Sequence, residues 1–82
     1  MTSETENLSP RLLVLYDALH DKGDVHVLHL FKSLTGEDSN NVADVYEYLG
    51  PYITRLNRKL KKQRVSPGAL KGTYRLYNLT DA

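Results

Sequence analysis

The fold turns on residues 51–77. Pro51-Tyr52-Ile53-Thr54-Arg55-Leu56-Asn57-Arg58-Lys59-Leu60 runs through Lys61-Lys62-Gln63-Arg64 into Val65-Ser66-Pro67-Gly68-Ala69-Leu70-Lys71-Gly72-Thr73-Tyr74-Arg75-Leu76-Tyr77. In the first part Ile53, Leu56 and Leu60 recur at the spacing of one helical face. Pro51 suits a first helical position, where its missing N–H is no loss. A basic helix over about 51–64 is therefore expected. Steps of 100° put Arg58 almost opposite the apolar face, flanked by Thr54, Arg55, Lys61 and Lys62. In the second part β-forming residues follow a glycine turn, and Pro67-Gly68 or Lys71-Gly72 can bend a small hairpin.

Upstream, Val42, Val45, Tyr46 and Leu49 share a helical face with Asn40 or Asn41 as cap, and Gly50-Pro51 is expected to interrupt that helix. Residues 35–41 have turn chemistry throughout. Before them, a helix from about His26 to Leu34 turns Val27, Leu30, Phe31 and Leu34 inward. Asp24-Val25 reads as a short extended link. Ser9-Pro10 starts a first helix with Leu12, Leu15, Tyr16 and Leu19 inward and Gly23 as its stop. The order is helix, helix, long turn, helix, hairpin. The expected fold is mainly α, a three- to four-helix helix-turn-helix domain with a small C-terminal β-hairpin wing. One domain over 9–79 is expected, with a flexible tail at 1–8 and another at 80–82.

The 82 residues suit a single small core, and the absence of cysteine removes disulfides, thiolate nucleophiles and most zinc designs. No apolar run approaches the ~20 residues of a membrane span, and the polar, acidic start is no signal peptide. No membrane partner is expected, and the localisation reads as cytoplasmic. Nor does an enzyme fit: there is no nucleophile elbow, no phosphate-cradling glycine loop and no pair of carboxylates placed for acid–base work. No cofactor and no small-molecule ligand are expected. His26 and His29 stand three apart with His20 nearby, but no third ligand closes a metal site.

The net charge of +1 hides an asymmetry. Residues 1–50 carry three basic side chains against nine acidic ones, a balance of −6. Residues 51–82 carry eight basic side chains against Asp81 alone, a balance of +7. Such a bipolar domain offers one face to an anion and another to a basic partner. The candidate nucleic-acid-binding residues are Thr54, Arg55, Arg58, Lys61, Lys62, Lys71 and Arg75, since an exposed basic helix beside a wing meets phosphates and base edges. Against that reading stand Glu37, Asp38, Asp44 and Glu47, carboxylates beside the helix that would approach DNA. With Leu13, Val14 and Leu28, apolar residues off the core stripes of the first two helices, they are the candidates for binding a protein partner. The six tyrosines read as core or rim, with Tyr48 or Tyr52 as a candidate interface anchor.

The stretch 51–60 with Tyr74-Arg75-Leu76 resembles the recognition helix and wing of response-regulator winged-helix effectors, without their receiver domain and N-terminal sheet and with an altered wing turn. Over roughly 9–79 the chain more closely resembles the extended-turn helix-turn-helix family of proteobacterial mobile elements. The matching pieces are Leu34-Thr35-Gly36-Glu37, the long turn, the basic helix, and Ala69-Leu70-Lys71-Gly72-Thr73-Tyr74-Arg75-Leu76, in which Gly72-Thr73 stands where the family has Gly-Gly. The resemblance implies control of conjugative transfer under quorum sensing. It implies that a small stand-alone domain of this type is an antiactivator, with a transcriptional activator protein as partner. DNA is the alternative partner, for a direct winged-helix repressor.

Overall fold

The computed structural model describes residues 7–79. Helix α1 is Pro10–Leu19. The Ser9 side chain accepts from the Leu12 N–H at 3.4 Å, and Pro10 sits where no N–H is needed. Leu12, Leu15, Tyr16 and Leu19 are buried, as their spacing predicts. The helix ends before the glycine expected to stop it. The His20 N–H closes it on the Tyr16 carbonyl at 2.8 Å. The chain then reverses through Asp21 and Gly23, both at positive φ.

Residues 24 and 25 are more than a link, because Val25–His26 forms strand β1 of a sheet. Helix α2, Val27–Thr35, follows at once, with the His26 Nδ1 accepting from the Leu28 N–H at 3.2 Å as its cap. Gly36, at φ 78°, ends α2 in the left-handed region that glycine occupies without strain. After the long turn, Asn41 Oδ1 accepts from the Asp44 N–H at 3.2 Å and opens α3.

Helix α3 corrects two expectations. It is one continuous helix, Val42–Lys59, with Pro51 inside it. Val45 and Leu49 before the proline, and Ile53 and Leu56 after it, are buried on a single side. Pro51 lies on the opposite, exposed side. Glu47, whose carbonyl loses its usual donor there, is an exposed residue, and burial on both flanks outweighs the break. The helix also stops at Lys59, five residues before the expected Arg64. Leu60 turns extended and stays buried, while Asn57 grips the backbone of Val65, its Oδ1 accepting from N–H at 2.8 Å and its Nδ2 donating to C=O at 3.0 Å. Lys61 and Lys62 therefore lie in the bend, and Arg64 lies on strand β2, Gln63–Pro67.

Strand β3, Thr73–Asn78, pairs antiparallel with β2 through Val65↔Leu76 and with β1 through Val25↔Tyr74. The expected two-stranded wing is thus part of a three-stranded antiparallel sheet, order β1-β3-β2. With three helices beside this sheet among the described residues, the domain is a small mixed one, roughly compatible with the expected mainly helical fold and C-terminal hairpin. The core joins α1, α2, α3 and the sheet around Leu15, Val27, Leu30, Leu49 and Leu56. Leu8, expected in the loose tail, packs half-buried against this core. The remainder of both expected tails, residues 1–6 and 80–82, lies outside the described residues.

The loop between β2 and β3 is held from a distance. Asp24 Oδ2 accepts from the Ala69 and Leu70 N–H groups at 3.0 and 3.2 Å, and Arg75 approaches its Oδ1 at 3.8 Å. Removing the carboxylate leaves these donors to water and Arg75 uncompensated. Asp24→Ala is expected to cost about 1–3 kcal/mol, read by thermal melting, and to speed amide exchange at Ala69 and Leu70 ahead of the core.

Candidate interaction surface

The outward side of α3 collects the candidate residues into one line. With Val45, Leu49, Ile53 and Leu56 inward, the 100° step sends Asp44, Glu47, Pro51, Arg55 and Arg58 outward, and all five are exposed. The line changes sign along its length. Its leading half is acidic and continues into the turn with Glu37 and Asp38, the latter 3.2 Å from Lys32. Its trailing half is basic, with Thr54 beside it. Among the described residues Asp44, Glu47, Arg55 and Arg58 take part in no ion pair.

Next to this line lies a groove of about 440 Å³ lined by Ser9, Pro10, Arg11, Leu12, Tyr52 and Arg55. Arg11 Nη1 donates to the Tyr48 hydroxyl at 3.1 Å. Tyr48 meets Phe31 edge-on and Tyr52 at 5.3 Å between centroids, and the Arg55 guanidinium stands 5.8 Å from the Tyr52 centroid. The hydrogen bond to Tyr48 raises the pKa of Arg11 further. Tyr48 is itself held above the ordinary phenol value, first by hydrogen bonding with Tyr52 and then by desolvation, with Arg11 opposing. Arg11 is a residue that the sequence reading missed. Its one signal is that it is the first basic residue of a strongly acidic half.

The other candidates scatter. On α1, Val14 is 41% exposed and Leu13 half-buried. Leu28, expected off the core, packs against it from α2, so it is set apart from the α1 pair. Lys71 is exposed at the tip of the β2–β3 loop beside Leu70, which is 67% exposed. Arg75 is engaged on both sides, 3.8 Å from Asp24 and 5.8 Å from the Tyr77 ring centroid. The histidines are spread over separate surroundings: His26 caps α2, His20 stacks on Tyr16, and His29 is exposed. Among the described residues no three metal-binding side chains cluster, and no helix is long and apolar enough to cross a membrane.

Tyr48, hydrogen-bonded to Arg11 of the groove, has a pH signature. Its raised pKa means that the neutral hydroxyl is favoured by folding. The contribution is complete below the ordinary phenol range and is lost as pH rises through the raised value. In a ¹³C tyrosine titration Tyr48 is expected to ionise above its ordinary value of 10.0. In Tyr52→Phe its midpoint is expected to fall back toward that value. Comparison with family models, curated proteins and solved structures returns no match for this chain.

Proposed function

We propose that the protein is a small transcription regulator of the winged helix-turn-helix kind that acts as an antiactivator, binding a transcriptional activator and blocking it. The winged reading is supported by the chain order helix, strand, helix, helix, strand, strand, and by the sheet order β1-β3-β2. On that reading α3 is the helix that a DNA-binding relative would lay in the major groove.

The observation that carries the antiactivator reading is the acidic leading half of α3. Asp44 and Glu47 stand where a DNA reader approaches phosphates, and Glu37 and Asp38 precede them. Each carboxylate ~4 Å from a phosphate is repelled by about 1 kcal/mol even in water, and several act together here. The loop tip adds apolar Leu70, and Arg75 is taken by Asp24 and Tyr77. A protein surface with basic and apolar groups fits this face better than a polyanion. The process blocked, on the resemblance of the sequence, is conjugative transfer under quorum sensing, and the place of action is the cytoplasm.

A direct DNA-binding repressor is the second reading, favoured by Arg58, Lys59, Lys61, Lys62 and Arg64 standing close in sequence. It loses ground because the last three have left the helix.

Copurification from the host with mass spectrometry identifies the partner, and an activator is the expected catch. Val14→Glu and Glu47→Lys are expected to weaken its capture at least tenfold while circular-dichroism melting stays within a few degrees, since both positions are exposed and exposed charge changes cost little. Folded variants that still capture and repress normally would remove this surface from the mechanism. In a salt-titrated shift assay, DNA binding is expected to be weak and indifferent to sequence. A selective complex that survives ~0.15 M salt with a log–log slope of about −4 or steeper, lost in Arg58→Ala, would favour the repressor instead.

A further inference from the structure

We propose that the outward face of α3 is a self-association surface, on which a second copy of this chain docks antiparallel about a two-fold axis at Pro51. The sequence positions carry the symmetry. Asp44 is seven residues before Pro51 and Arg58 seven after; Glu47 is four before and Arg55 four after. At 1.5 Å per residue these pairs stand ~10 and ~6 Å either side of the axis. An antiparallel copy therefore brings its Arg58 to the level of Asp44 and its Arg55 to the level of Glu47, and the reverse pairs form at the other end. A parallel copy would set acid over acid and base over base. The same patch serves on both partners, the condition for a closed dimer.

The surroundings fit a helix crossing. All four charged side chains are exposed and, among the described residues, none is in an ion pair within the chain. At the centre stand Gly50 and Pro51, which carry no polar side chain into the crossing. A Cβ added at Gly50 would meet nothing within 4 Å, so another backbone can come close. Tyr52, half-buried beside them, offers apolar surface next to the crossing. DNA is a poor occupant of a face that is half acidic. The contact relies on exposed ion pairs, so the dimer is weak, transient and salt-sensitive. This inference does not rest on the activator reading, because the purified chain alone decides it.

Sedimentation equilibrium of the full chain is the test. In ~20 mM salt a concentration-dependent monomer–dimer equilibrium is expected, weakening at least tenfold in ~500 mM salt. Glu47→Arg and Arg55→Glu, each alone, are expected to remain monomeric, because like charges then face each other at both ends. An equimolar mixture of the two is expected to associate. The first variant is basic at both inner positions and the second acidic at both, so every inner pair across the axis is again one of opposite sign. Should circular dichroism show either reversal unfolded, Glu47→Gln and Arg55→Gln replace them and are expected to weaken the dimer as well. A wild-type chain that stays monomeric to ~1 mM in low salt, reversals that leave association unchanged, or a mixture that fails to associate would each overturn the proposal. A monomeric chain whose α3 amide signals shift only when an activator or DNA is added would assign the face to that occupant instead.

Discussion

The Asp24 carboxylate ties the turn after α1 to the distant β2–β3 loop. It follows the left-handed turn at Gly23 and precedes β1, so its place is set by the reversal after α1. From there it accepts two backbone N–H groups of the distant β2–β3 loop. The packing is close enough to fix the residue opposite. A Cβ at Gly68 would come within 2.6 Å of Asp24 Oδ1 and would also collide with the Thr73 hydroxyl. Thr73, buried, donates to the Leu70 carbonyl at 2.6 Å, and the Gly68 N–H donates to the Thr73 carbonyl at 2.9 Å. The Val27 N–H then reaches the Gly72 carbonyl at 2.9 Å, which links the same loop to the start of α2. The direction in which the loop presents Leu70 and Lys71 follows from these bonds, and so does the engagement of Arg75.

What the sequence made legible was local. The inward faces of α1 and α2, the Ser9 and Asn41 caps and the turn between α2 and α3 all follow from period and turn chemistry within a few residues. What it hid was set by distant partners. A two-residue strand has no period of its own, and Val25–His26 becomes a strand only because Thr73 and Tyr74 lie beside it. Pro51 reads locally as a break, yet burial of Leu49 and Ile53 on either side keeps the helix going. The end of α3 is decided by Asn57 gripping Val65, eight residues on, which no propensity at Lys61 or Lys62 announces.

The interaction surface divides in the same way. Asp44, Glu47, Arg55 and Arg58 were readable as charges off the apolar stripes, but that they share one side follows only from α3 running unbroken through Pro51. The contact of Arg11 with Tyr48 spans 37 positions and needed the fold to appear. Leu28 illustrates the converse. It leaves the stripe of its own helix, but a small domain has neighbours on most sides of a short helix, and the core reaches it.

The charges on α3 admit two physical explanations, and they separate residue by residue. Asp44 in the first turn and Arg58 in the last complement the helix dipole, each worth about 0.3–1 kcal/mol, and the fold alone accounts for them. Glu47 and Arg55 are different. The dipole effect fades within the end turns, and these two lie in the helix interior, beyond both end turns. Four residues on from Glu47, and four back from Arg55, is Pro51, so neither has an i±4 partner of opposite sign. Three residues away each meets its own sign, Asp44 for Glu47 and Arg58 for Arg55, a like-charge spacing that costs about 0.2–0.5 kcal/mol. Within the isolated chain Arg55 is compensated by the Tyr52 ring, 5.8 Å from its guanidinium, whereas no ion pair among the described residues offsets the cost at Glu47. Glu47 is thus the charge on α3 that the helix does not repay, and the position at which a proposed partner would offset the cost.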